Sequence, residues 1–226
     1  MREGSGVSTA EIIPFNPLDK KNLGASVAEA LVSQKVHSLG TLRSFMGTGI
    51  YAIYYHGDHE GYGPISTPNQ KDKTKPVIPI YVGKAVPQGA RKGKVMPDST
   101  RSKALFSRLS EHAESISSTN TLSIDDFSCR YLVVDEIWIP LGESLMIAKF
   151  SPLWNLLVEG FGNHDPGSGR YAGYMPRWDL LHPGRAWAEK CRVRPESQAE
   201  ILRDVQNYLS SIIVPQMPHF ISPDNS

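Results

Sequence analysis

The chain has 226 residues, 40% of them hydrophobic and 21% charged, with a formal net charge of +1. This size suits one domain, or one core with extensions, and the composition is that of an ordinary soluble globular protein. No run of about 18 apolar residues could cross a membrane. Residues Met1-Arg2-Glu3-Gly4-Ser5-Gly6 lack the apolar core of a signal peptide. The two cysteines, Cys129 and Cys191, cannot form a metal cage by themselves. Cys129 falls in a predicted strand, where a small buried hydrophobe is the simplest reading. A cytoplasmic location is expected.

In chain order, residues 1–20 carry Gly, Ser, Pro and Asn without periodicity and read as a loose arm. Leu23, Val27, Ala30 and Leu31 then recur at helical spacing, which predicts a helix over 22–35. Gly47-Thr48-Gly49 breaks the chain before a strand at 49–56, rich in Tyr and Ile as a pleated surface prefers. Residues 57–76 hold Gly57, Gly61, Gly63, Pro64, Pro68 and Pro76, which predicts a long loop. A second strand at 77–83 follows, then a Gly/Pro/Lys-rich loop at 85–100. A helix over 101–117 places Leu105, Leu109 and His112 on one face. Phe127, Cys129, Tyr131 and Val133 alternate with their neighbours and predict a third strand over 127–136. Pro140 suits the first turn of a short helix carrying Glu143, Leu145, Met146 and Phe150, which Ser151-Pro152 ends. Residues 160–178 are rich in Gly and Pro and should be irregular. A last helix is predicted over 197–213.

The order helix, strand, strand, helix, strand, helix implies an α+β fold: a small three-stranded antiparallel sheet flanked by helices, with N- and C-terminal extensions and long loop insertions. No Gly-x-Gly-x-x-Gly turn joins a strand to a helix, which argues against a dinucleotide-binding sheet.

Several residues suit chemistry on phosphate. Arg108 and His112 stand four apart, so they share one face of their helix. An arginine grips phosphate with a planar fork, and a histidine beside it can hold or pass a proton. Taken alone, such a pair is commonly a surface pair. Glu143 is the one acid between Glu136 and Glu159. It could complement the dipole at a helix start or serve as a hard oxygen ligand for Mg²⁺. Asn155 is either a turn-former or a brace for catalytic side chains. Tyr51 and Tyr81 each lie in a short apolar strand beside a glycine. A free tyrosine is a poor base, with a pKa of about 10. His112 could take its proton, and the cation of Lys84 could lower its pKa. From Lys84 to Arg108 seven basic residues face a single acid, Asp98. That run is either a solvated face or a segment that contacts phosphates.

On these residues the chain resembles the GIY-YIG nucleases. Gly49-Ile50-Tyr51 matches the first motif, and Tyr81-Val82-Gly83 the second with Val for Ile. Arg108 with His112, Glu143 and Asn155 match the helix arginine, the metal-binding glutamate and the late asparagine. A closer likeness extends beyond this core: Pro152-Leu153-Trp154-Asn155, Gly160-Phe161-Gly162-Asn163-His164 and His182-Pro183-Gly184-Arg185, with Trp187-Ala188-Glu189-Lys190-Cys191, are similar to the GIY-YIG type II restriction endonucleases that read CCGCGG. The two tyrosine motifs stand 30 residues apart, an insertion that restriction members share.

The resemblance implies one nuclease domain over 1–226: an N-terminal arm and helix at 1–47, a catalytic core at 48–157 and an extension at 158–226. It implies Mg²⁺-dependent hydrolysis of double-stranded DNA at a short GC-rich palindrome, with one ion per site and Mn²⁺ as a substitute. Tyr51 is the expected base with His112 tuning it and Lys84 close by. Tyr81 orients the water or phosphate, Arg108 neutralises the pentavalent intermediate, Glu143 holds the metal and Asn155 braces the site. Arg91, Lys92, Lys94, Arg101, Lys103, His164 and Arg170 are expected DNA contacts. A palindromic target implies a homodimer, and a bacterial host with a cognate DNA methyltransferase. Alternatives are a GIY-YIG nuclease of repair or mobile elements, a DNA-binding module without cleavage, and a zinc or HNH-like site around Asn163-His164-Asp165.

Overall fold

A computed structural model describes residues 16, 18–86, 102–165, 167 and 171–211. In chain order the elements are α1 (Lys20–Val32), β1 (His37–Ser38), β2 (Gly49–Tyr55), α2 (Gly63–Lys71), β3 (Pro79–Ala85), α3 (Ala104–Ser117), β4 (Phe127–Val133), α4 (Ile139–Phe150), α5 (Leu153–Leu156), α6 (Arg177–Leu181) and α7 (Gln198–Ser211). The strands form one antiparallel sheet in the order β1-β4-β2-β3.

The central strand β2 organises the rest. All seven of its residues are buried. Alternate side chains go to opposite faces of a strand, and here both faces are covered. Tyr51, Ile53 and Tyr55 join a large core with Leu105, Leu109 and Ile116 of α3, Trp154 of α5, Trp178 of α6 and Ile201 and Val205 of α7. Ile50, Ala52 and Tyr54 join a smaller core with Ala28 and Leu31 of α1 and Ile139 and Met146 of α4. Cys129 is fully buried in the larger core, where burial pushes its thiol up to about 12. No helix among the described residues is long and apolar enough to cross a membrane.

The α+β architecture and antiparallel pairing are as expected, with corrections. The sheet has four strands, because the two-residue β1 pairs with β4 through His37↔Cys129 and Ser38↔Ser128. The stretch 57–76 is not all loop: it contains α2. Pro64 is tolerated in the first turn of that helix. Pro68 lies inside it, and tertiary bonds hold the turn. The Asn69 side chain donates to the carbonyls of Tyr55 and Ile78 and accepts the amides of Val77 and Ile78. The third strand stops at Val133, and a 3₁₀ turn at Glu136–Trp138 replaces its expected end. Among the described residues of 160–178 no helix or strand precedes α6.

Candidate active site

Gly83 explains how Tyr51 reaches the site. The two residues pair across β2 and β3. A Cβ at Gly83 would come within 2.4 Å of the Tyr51 phenol oxygen. The ring therefore lies across β3 where only glycine leaves room. Its buried hydroxyl is 2.7 Å from Nε2 of His112. Gly49, at φ 155°, opens β2 where a Cβ would meet the Leu132 carbonyl oxygen at 2.0 Å.

Tyr81 lies on the same face of the sheet. Its ring meets His112 edge-on at 5.1 Å and Tyr51 at 6.3 Å between centroids. On α3, Arg108 and His112 share the face their spacing predicts. His112 is 1% exposed and stacks on Phe161 at 4.5 Å. Arg108 donates to Glu111 at 2.9 Å and to the Gly162 carbonyl, and lies against the His164 ring.

Electrostatics fix the protonation states. Burial holds the Tyr51 hydroxyl well above the usual tyrosine range, and Tyr81 adds to this; the Arg108 charge opposes it. Burial also raises Tyr81, with Arg108 opposing and Glu143 adding. For His112, burial and then the Arg108 charge hold the imidazole well below its ordinary value. At neutral pH the pair is thus a neutral phenol and a neutral imidazole, and in the Nδ1-protonated tautomer of His112 the phenol O–H donates to Nε2.

Glu143 accepts from Lys84 Nζ at 2.6 Å, with their side chains 20% and 40% exposed. It is past the first turn of α4, which holds no acid, so helix capping does not explain it. The Arg108 charge acts to lower Tyr51, while the Lys84 ammonium is engaged by Glu143. Asn155 forms a paired bridge to β3: its Oδ1 accepts from Val82 N and its Nδ2 donates to Val82 O, both at 2.8 Å. This amide closes the free edge of the strand between Tyr81 and Gly83.

The donor set fits one metal chemistry better than another. The half-open Glu143 carboxylate already holds a cation, and its charge reaches both phenols. Such a group suits Mg²⁺, which takes one or two carboxylates and fills its shell with water and phosphate oxygens. Among the described residues no group of three or more His, Cys, Asp or Glu could cage a metal. Asp165 accepts from Gly167 N and the Tyr171 hydroxyl, both at 2.8 Å, and so braces its loop.

The expected DNA contacts divide. Lys103 is exposed just before α3, and His164 is exposed but sits on Arg108 and Glu111 at the mouth of the site. Arg91, Lys92, Lys94, Arg101 and Arg170 lie outside the described residues. Phe161 and Gly162 also line the site, where no chemistry is expected of either residue. A Cβ at Gly162 would be 2.5 Å from the Tyr81 phenol oxygen. The glycine-flanked aromatic of Gly160-Phe161-Gly162 was the available signal.

A family model described as the Eco29kI GIY-YIG domain matches residues 43–209, well over half of the chain. No curated protein gives a significant match.

Proposed function

The chain belongs to the Eco29kI GIY-YIG family of restriction-type nucleases, and on that premise we propose that it is a Mg²⁺-dependent type II endonuclease that cuts both strands of DNA at a short GC-rich palindrome. CCGCGG is the proposed word, supported by the resemblance of the Pro152–Asn155, Gly160–His164 and His182–Arg185 segments. The observation that carries the hydrolytic reading is the buried Tyr51–His112 hydrogen bond beside the Arg108 guanidinium.

The chemistry follows from the protonation states. Water attacks phosphorus in line with the departing oxygen. Tyr51 takes a proton from that water as its own O–H proton passes to Nε2 of His112. No free phenolate forms, because the proton comes to rest on His112. Tyr81, edge-on to His112, orients the water or the phosphate. Arg108 exchanges its exposed partner Glu111, an ion pair worth about 0–1 kcal/mol, for the phosphate oxygens, where charge accumulates as attack proceeds. Asn155 keeps Tyr81 and Gly83 in place. Glu143 would hold the Mg²⁺, which when bound offsets charge on the leaving oxygen. Lys84 then stands beside that carboxylate as a second cation.

A palindromic word read by one chain calls for two sites related by a two-fold axis, hence a homodimer on DNA. Sedimentation with a cognate duplex should show two chains per duplex; a single chain would remove this part. The decisive test is digestion of a sequenced plasmid with Mg²⁺, followed by end mapping. Discrete double-strand breaks at one palindrome are expected. Tight binding without strand cleavage would overturn the nuclease reading, and breaks at another word would overturn CCGCGG.

A further inference from the structure

Phe161 and Gly162 touch three of the proposed catalytic groups, His112, Tyr81 and Arg108, yet their segment belongs to no helix or strand. What holds it is Arg185. That side chain is 5% exposed. Its Nη1 donates to the carbonyls of Phe161 and Asn163 at 3.2 and 3.1 Å, and its Nη2 to that of Gly160 at 2.9 Å. Nε and Nη2 also donate to the two oxygens of buried Asp179, at 2.7 and 2.5 Å. All five N–H groups of a guanidinium are therefore used. Trp178 and Trp187 stack on the cation at 4.6 and 4.8 Å. Gly184 brings this segment against the end of α3, where a Cβ would meet the Ser118 carbonyl oxygen at 1.9 Å.

We propose that Arg185 is a positioning residue for the active site: by gripping the backbone carbonyls of Gly160, Phe161 and Asn163, it seats the Phe161 ring on His112 and presents the Gly162 carbonyl to Arg108. The inference rests on the nuclease reading and deepens it. It also explains why the Gly160–His164 and His182–Arg185 segments matter together: they are the two halves of one clamp. A lysine cannot replace Arg185, since it has three donors and no planar fork. It does keep the positive charge that helps hold His112 neutral. A defect in Arg185→Lys therefore reports position and not charge.

The test compares wild-type protein, Arg185→Lys and Trp187→Leu. Trp187 is only half-buried, so its loss loosens the guanidinium without breaking the ion pair. Cleavage of a cognate duplex in Mg²⁺, duplex affinity in EDTA and the ring-proton NMR resonances of His112 are measured. In Arg185→Lys kcat should fall about 100-fold, the scale of an ångström-sized misplacement, with duplex affinity and the pH profile unchanged. The His112 resonances should lose the ring-current shift of stacked Phe161. Trp187→Leu should move both readouts in the same direction by less, and it decides the matter if Arg185→Lys does not fold. Wild-type turnover and unmoved His112 resonances in a folded variant would overturn the clamp while leaving the nuclease. A wild type that cuts no duplex, with His112 displaced in the variants, would overturn the nuclease reading and leave the clamp.

Discussion

Burial acts in opposite directions on the two partners of the Tyr51–His112 hydrogen bond, raising the phenol and lowering the imidazole. Both shifts favour the same neutral pair, which is the state a relay needs at neutral pH. Tyr51→Phe keeps the ring and removes the relay. Single-turnover cleavage should drop by about 10²–10⁴, while gel-shift affinity stays within a few-fold; an unchanged rate would take Tyr51 out of the proton path. Glu143→Gln keeps the shape of the carboxylate and loses its charge. Cutting should then fail at every Mg²⁺ concentration, with binding retained, and recovery at high Mg²⁺ would assign the ion elsewhere. Gly83→Ala tests why the second motif ends in glycine. The new methyl would collide with the phenol of Tyr51. A loss of about 1–3 kcal/mol in urea unfolding, together with lost activity, is expected. A variant as stable and as active as wild type would show that the ring can yield.

At the scale of elements, the site depends on β3 being held at its outer edge. β2 covers one side of that strand, and Asn155 from α5 supplies the hydrogen bonds on the other. Asn155→Asp keeps the acceptor for Val82 N but sets a carboxylate oxygen against the Val82 carbonyl. The mismatch should cost about 1–3 kcal/mol and lower turnover more than duplex affinity; calorimetry and kinetics together would read it. The same scale explains what the sequence could disclose. β2 was legible because burial on both faces leaves a continuous apolar run. Arg108 and His112 were legible because one helical turn puts them together. α2 was hidden, since Pro64 and Pro68 read as breakers and the helix is sustained by bonds from Asn69 and Gln70 to distant backbone and by burial of Ile65. β1 was hidden because two residues carry no alternation. Phe161 and Arg185 could be noticed as motif residues, but their roles arise from contacts between segments that sequence spacing does not relate.

Across the whole molecule, the C-terminal extension is continuous with the catalytic core: Trp178, Leu181, Ile201 and Val205 share one buried cluster with Tyr51 and Leu109. Two neutral histidines are locked into that shared interior. His112 contacts Tyr51, and His182 accepts or donates with the Tyr62 hydroxyl at 2.6 Å and the Thr121 hydroxyl at 2.7 Å. Burial holds both well below the ordinary histidine value. Their folded pKa values are depressed, so below about pH 6.5 the unfolded chain binds protons that the folded chain refuses. Stability is therefore full above that pH and declines as the pH falls toward the folded values. Two such groups give a slope of about 2.7 kcal/mol per pH unit. Burial shifts His56 and His59 in the same direction and steepens it. Urea unfolding at pH 7.5 and pH 5.5 should show this fall. His182→Gln, which keeps a side chain able to bond both hydroxyls, should flatten it by about one proton's share, about 1.4 kcal/mol per unit. A stability that is level across this range would mean that the histidines take up protons inside the fold as readily as in the unfolded chain, and the burial that keeps His112 neutral would be disproved.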